Sequence, residues 1–153
     1  MIPFIYAAAE KSFGTVPAVM TNGQVVFTVV GGPIAIVDLL SECISANDAT
    51  ASTMQWQSAP TVGSAATISG ASATLASATA GTTVRLAPTA LTTAPVIATA
   101  ANGGVQLGTN VANEIVVKAG TINLVIGVGS TTGTWKHHIR YRPMNPDAQI
   151  AGT

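Results

Sequence analysis

Residues 114–142 read EIVVKAGTINLVIGVGSTTGTWKHHIRYR, and this stretch decides the fold class. Three runs, Glu114–Lys118, Thr121–Val128 and Thr134–Arg142, are separated by Ala119-Gly120 and by a Gly/Ser/Thr-rich segment over Gly129–Gly133. β-Branched and aromatic side chains fit a pleated, half-buried surface, and glycine supplies the backbone angles of tight turns, so the spacing predicts three strands. Strands joined by such short turns pair antiparallel, and a meander is the expected arrangement. In the last run the alternation is complete. Trp135, His137, Ile139 and Tyr141 share one face, and Lys136, His138, Arg140 and Arg142 share the other.

The chain upstream repeats this grammar. Gln24–Val30 is β-branched and bounded by Asn22-Gly23 and Gly31-Gly32-Pro33, which predicts a buried strand. Ile34–Ile44 reads two ways: Val37, Leu40 and Ile44 fit a helix period, whereas Ile34, Ile36 and Leu40 fit a strand. The preceding Gly-Gly-Pro and the β-branched start favour a long strand, with a short helix as the alternative. Thr53–Gln57 alternates, with Met54 and Trp56 on one face, and Trp56 is expected as a core anchor. Thr61–Ala80 is rich in Ala, Ser, Thr and Gly, yet has neither the charge nor the low hydrophobicity of a disordered linker. It is expected to run extended over the body or against a neighbouring subunit. Strands are expected at Thr82–Ala87 and Pro95–Thr99, and a tight turn at Asn102-Gly103-Gly104. No long amphipathic helix interrupts the pattern. The fold class is therefore all-β, an antiparallel β-sandwich or jelly-roll-like domain over residues 23–153, preceded by an N-terminal arm over residues 1–22.

Composition narrows the function. With 153 residues the chain makes one ordinary domain. Its formal net charge is 0 and only 8% of its residues are charged, against roughly 25% in an average soluble chain. Hydrophobic residues reach 48% while aromatics are 5%, so the apolar content is mostly Ala and Val. Few charges keep lone copies apart, which suits a subunit that covers its surface with neighbours. The most apolar stretch, Val25–Leu40, is broken by Gly31-Gly32-Pro33 and by Asp38, so no membrane-spanning helix and no membrane partner is expected. Met1–Ala9 is apolar but lacks a basic region before it, and reads as a docking arm rather than a secretory signal. The single cysteine, Cys43, leaves no intramolecular disulfide and no cysteine-based zinc site, and is expected as a small buried hydrophobe.

The search for chemistry returns no catalytic, cofactor or metal site. The two histidines, His137 and His138, are adjacent on a strand and point to opposite faces, so they do not share a metal. Asp38 and Glu42 sit roughly 13 Å apart on a regular strand, without a catalytic motif around them, and are expected at a solvent edge or paired with Arg85 or Lys118. The serines lack a GxSxG elbow, and neither a Walker loop nor a GxGxxG turn is present. The expectation is a non-enzymatic protein. Lys136, His138, Arg140 and Arg142 form a strip that is either a solvated outer face or a contact for an acidic partner. Zero net charge argues against nucleic acid.

Several phrases occur together: Gly31-Gly32-Pro33-Ile34, Pro60-Thr61-Val62-Gly63, Ala80-Gly81-Thr82, Ala119-Gly120-Thr121-Ile122, Thr132-Gly133-Thr134-Trp135-Lys136 and Tyr141-Arg142-Pro143-Met144. In this order and spacing the chain from Gly31 onwards resembles a diffuse family of small structural proteins of tailed bacteriophages. The resemblance implies a β-sandwich that coats the capsid as a decoration or cement protein, with no catalytic residues to carry over. It implies the major capsid protein and further copies of the chain as partners, as a homotrimer or another homo-oligomer. It also implies the outer capsid surface of the virion as the location, after assembly in the host cytoplasm. The apolar residues Ile2, Phe4, Ile5 and Tyr6 of the arm, with Lys136, His138, Arg140 and Arg142, are then the candidate capsid or subunit contacts. A tail or fibre component is the nearest alternative. A carbohydrate-binding β-sandwich module is a third, and it needs exposed aromatics that two Trp and two Tyr supply thinly.

Overall fold

The computed structural model describes residues 9–87, 90–106, 114–129 and 132–151. In chain order the strands are β1 (Lys11–Gly14), β2 (Ala18–Val19), β3 (Val25–Val30), β4 (Ile34–Ser45), β5 (Met54–Pro60), β6 (Ala66–Thr67), β7 (Thr83–Arg85), β8 (Val96–Ala98), β9 (Ile115–Val117), β10 (Gly120–Ile126), β11 (Thr134–Pro143) and β12 (Gln149–Ala151). They form two sheets with antiparallel pairing throughout. Sheet A has the order β1-β11-β4-β7-β8, with β2 also on β11 and β9 also on β4; sheet B has the order β12-β3-β10-β5-β6. The all-β sandwich expected from the sequence is the fold. The span read as an arm enters sheet A at Lys11, because β1 and β2 both pair with β11. The candidate contacts Ile2, Phe4, Ile5 and Tyr6 lie outside the described residues.

The core fills the space between the sheets. Phe27, Trp56, Ile122 and Leu124 come from sheet B; Ile34, Leu39, Trp135, Ile139 and Tyr141 come from sheet A. Phe13 of β1 meets Phe27 edge to face, at 6.2 Å between ring centroids and 82° between planes. That contact ties the first strand of one sheet to the other. The Ala/Ser-rich stretch before β7 is pinned by Ile68 and Leu75, each 1% exposed. Along it, Ser69 and Ser72 turn their hydroxyls to β5: Oγ of Ser72 accepts from the Met54 N–H at 3.0 Å, and Oγ of Ser69 from the Trp56 N–H at 3.2 Å. This segment therefore closes the edge of β5 beyond β6, and leaves no row of open backbone groups there.

One feature departs from the sequence reading. The segment β9–β10–β11 is three strands but not a meander: β9 pairs with β4, β10 lies between β3 and β5, and β11 pairs with β4 and β1. Consecutive strands cross from sheet to sheet, and the turn between β9 and β10 at Lys118-Ala119 sits at a corner of the sandwich. Gly120 marks the first crossing, with φ +149° and no room for a Cβ against the carbonyl of Ala59. Ile34–Ser45 is the long strand that the sequence reading favoured, and its pairing explains the two periods of Ile34–Ile44. β4 is one strand, but its register with β11 shifts twice, so Val37 and Ile44 oppose no residue. The bulge at Val37 moves the inward set by one residue, from Ile34 and Ile36 to Leu39, Ser41 and Cys43. Bulges thus imitate a helical period in a strand. Asn102-Gly103-Gly104 closes a short 3-10 turn over Ala100–Asn102, with φ of +71° and +65° at the two glycines.

Candidate functional site

β11 alternates as read: Trp135, His137, Ile139 and Tyr141 are buried, while Lys136, His138, Arg140 and Arg142 are half-exposed on the outer face of sheet A. The structure brings these four residues together, and brings acids to them. Register places Glu42 opposite Lys136 and Asp38 opposite Arg140. His138 Nε2 lies 3.8 Å from Glu42, Arg140 Nε lies 3.3 Å from Glu10, and Arg142 pairs with Glu114. Arg85 of β7 meets Asp38 in a two-point pair, with Nε donating to Oδ1 at 3.0 Å. The hydrogen bond to Asp38 holds the Arg85 guanidinium above its ordinary pKa. The strip is therefore one column of a lattice of opposite charges, not a basic patch. Eight of the twelve charged residues in the chain lie on this face.

The inner face of β11 carries a polar pair of catalytic residue types. Ser41 Oγ lies 2.6 Å from His137 Nδ1, the spacing of a nucleophile and its base. Ser41 is 0% and His137 1% exposed, and His137 Nε2 has no partner among the described residues. Burial, helped by the neighbouring His138, pushes the His137 imidazole down to about 4. A pair sealed in this way holds a neutral imidazole in the core and offers no path to a substrate. Cys43, buried beside it, donates its thiol to the Ser45 carbonyl at 3.2 Å. Burial raises the pKa of that thiol, and nearby Glu42 adds to the effect against a backbone hydrogen bond at Asn47. It is an inert core residue.

The outer face of sheet B is the counterpart. Thr28, Val30, Gln55, Gln57, Ala59, Thr121, Asn123 and Val125 are half-buried there, and no strand of sheet B bears a charged side chain. A cleft of about 470 Å³ opens beside β8, lined by Leu86, Val96, Ile97, Ala98 and Val105, with Arg85 and Gln106 at its polar end. The pairing of Asp38 with Arg85 is one that the sequence reading named, whereas it missed this cleft and the Ser41–His137 contact. The uncharged face was legible in the Gln24–Val30 and Thr53–Gln57 runs, which contain no charged residue. Trp56 is fully buried, as expected of a core anchor. The chain matches no family model, no curated protein and no solved structure.

Proposed function

We propose that this chain is a non-enzymatic structural protein that binds the outside of a tailed-phage capsid and stabilises it as a decoration protein. The observation that carries the reading is the separation of charge between the two outer faces. Moving an uncharged face of Thr, Gln, Asn and Val out of water costs about 1–3 kcal/mol for each polar group left unpaired, whereas charged groups cost more. Interface centres are depleted in charge for this reason. The outer face of sheet B is therefore the side turned to the particle, and the ion-paired face of sheet A is the side turned to solvent. Modest contacts of this kind hold a shell together when symmetry repeats them many times. The phrases quoted from Gly31 to Met144 support the same reading through their resemblance to small phage structural proteins.

The test is quantitative mass spectrometry of purified virions, with the copy number of this protein taken against that of the major capsid protein. A ratio of one, or a simple fraction such as one third, is the expected result. A handful of copies per particle would move the protein to the tail or fibres, and absence from the particle would refute the reading.

A further inference from the structure

We infer that the edge cleft beside β8 is an interaction site for the N-terminal segment, residues 1–8, of a second copy of this chain. The inference goes beyond the shell reading and does not depend on it. β8 ends sheet A and has no neighbouring strand on its far side among the described residues. The edge of β5 is closed by Ser69 and Ser72, but β8 instead borders an apolar cleft, with Val96 54% and Val105 79% exposed. An open edge beside an apolar pocket is the geometry that accepts an added extended segment: the backbone pairs along the edge and alternate side chains enter the pocket.

The aromatic inventory identifies the occupant. The chain has seven Phe, Trp and Tyr residues. Phe13, Phe27, Trp56, Trp135 and Tyr141 belong to or pack on the core. The other two, Phe4 and Tyr6, lie outside the described residues, two positions apart in the sequence, so that an extended segment would put them on one face. Ile2 would fall on the same face, and residues 1–8 carry no side-chain charge. Buried aromatic anchors surrounded by apolar contacts are what an interface of this kind needs.

Register argues for a second copy. β1 lies at the opposite edge of sheet A, four strand positions from β8. Lys11 is level with Tyr141 and Ile36, whereas β8 is level with Leu40 and Gly14 through Arg85 and His138. From Gly14 back to Lys11, β1 therefore runs away from the level of its own cleft. To reach that cleft the chain would have to turn back and lie across Arg140, Asp38 and Arg85, the charged face of the sheet. A neighbour placed edge to edge meets the segment without that crossing. Because donor and acceptor edges differ, the contact is head to tail, and closes into a ring or runs on as a filament.

Light scattering coupled to size exclusion tests this on the full chain across a range of concentrations, with circular dichroism to confirm folding. The wild type is expected to run as a multiple of 15.3 kDa. Phe4→Asp/Tyr6→Asp in the arm and Val96→Asp in the cleft are each expected to weaken assembly at least tenfold. Val116→Asp, on an exposed valine of the same sheet outside the cleft, is expected to leave it unchanged. Arg85 faces Val96 across the strand pair and tolerates the new carboxylate, and Val105→Asp provides a second cleft variant should Val96→Asp misfold. A monomeric wild type overturns the inference. So does assembly that survives either the arm or the cleft substitutions, or that fails equally in Val116→Asp.

Discussion

Every charged side chain that lies on a strand belongs to sheet A, whereas the strands of sheet B carry only uncharged side chains. Both sheets bury an inner face against the same core, and both leave an outer face half-covered. The difference lies in how each outer face meets water. Sheet A holds its charges in cross-strand pairs that cancel, so its surface stays hydrated while the net charge stays at 0. Sheet B carries only neutral amides and hydroxyls there, which resist desolvation less than charges do. A sandwich made in this way has one side fitted to solvent and another fitted to contact, although the total charge suggests neither.

The comparison breaks most readily at the Asp38–Arg85 pair, the least exposed on the charged face, with side chains 12% and 16% exposed. Asp38→Ala leaves a half-buried guanidinium without its partner and is expected to cost about 3 kcal/mol. Replacing both residues with apolar ones is expected to cost less. Urea titration of the single and double variants measures both. If Asp38→Ala is as stable as the wild type, the lattice of pairs contributes nothing to the fold.

His137 gives an effect of similar size on the inner face of the same sheet. Its folded pKa of about 4 lies below the ordinary 6.5, so the unfolded chain binds the proton more readily. The stability that this provides is complete above pH 6.5 and is lost as pH falls towards 4. It amounts to about 3 kcal/mol. His137→Leu is expected to flatten that part of the pH–stability curve, read by urea midpoints between pH 4 and pH 7. An unchanged slope in the variant would place the pH dependence elsewhere.

The two tryptophans sharpen the contrast at a smaller scale. Trp135 of sheet A donates its indole N–H to Asn47 Oδ1 at 3.0 Å, whereas Trp56 Nε1 in sheet B has no partner among the described residues. Replacement by Phe removes similar volume from each site, but only Trp135→Phe leaves a buried acceptor unpaired. It is expected to be the more destabilising by about 1–2 kcal/mol. Equal losses in chemical denaturation would show that the Asn47 contact is energetically silent.

Much of this arrangement was legible from residues alone. The alternation in Thr134–Arg142 revealed which side chains of β11 face the core, because the strand is regular along its length. Ile34–Ser45 was ambiguous because its two bulges break the period of two, and a bulge depends on the partner strand rather than on local sequence. The meander failed for a related reason: a short turn at Lys118-Ala119 serves a sandwich corner as well as a hairpin, and only Gly120 packed against Ala59 distinguishes them. The basic strip was visible, but its neutralisation was not. Glu10, Asp38, Glu42, Arg85 and Glu114 come from distant parts of the chain, and only sheet register brings them to β11.

Lysine substitution on the two outer faces tests the central claim most directly, read by binding to capsids stripped of this protein. Thr28→Lys and Thr121→Lys put a charge on sheet B and are expected to change stability by no more than about 0.5 kcal/mol while weakening capsid binding at least tenfold. Arg140→Gln on sheet A is expected to leave binding unchanged. Loss of binding in Arg140→Gln, with full binding by the two lysine variants, would contradict the account.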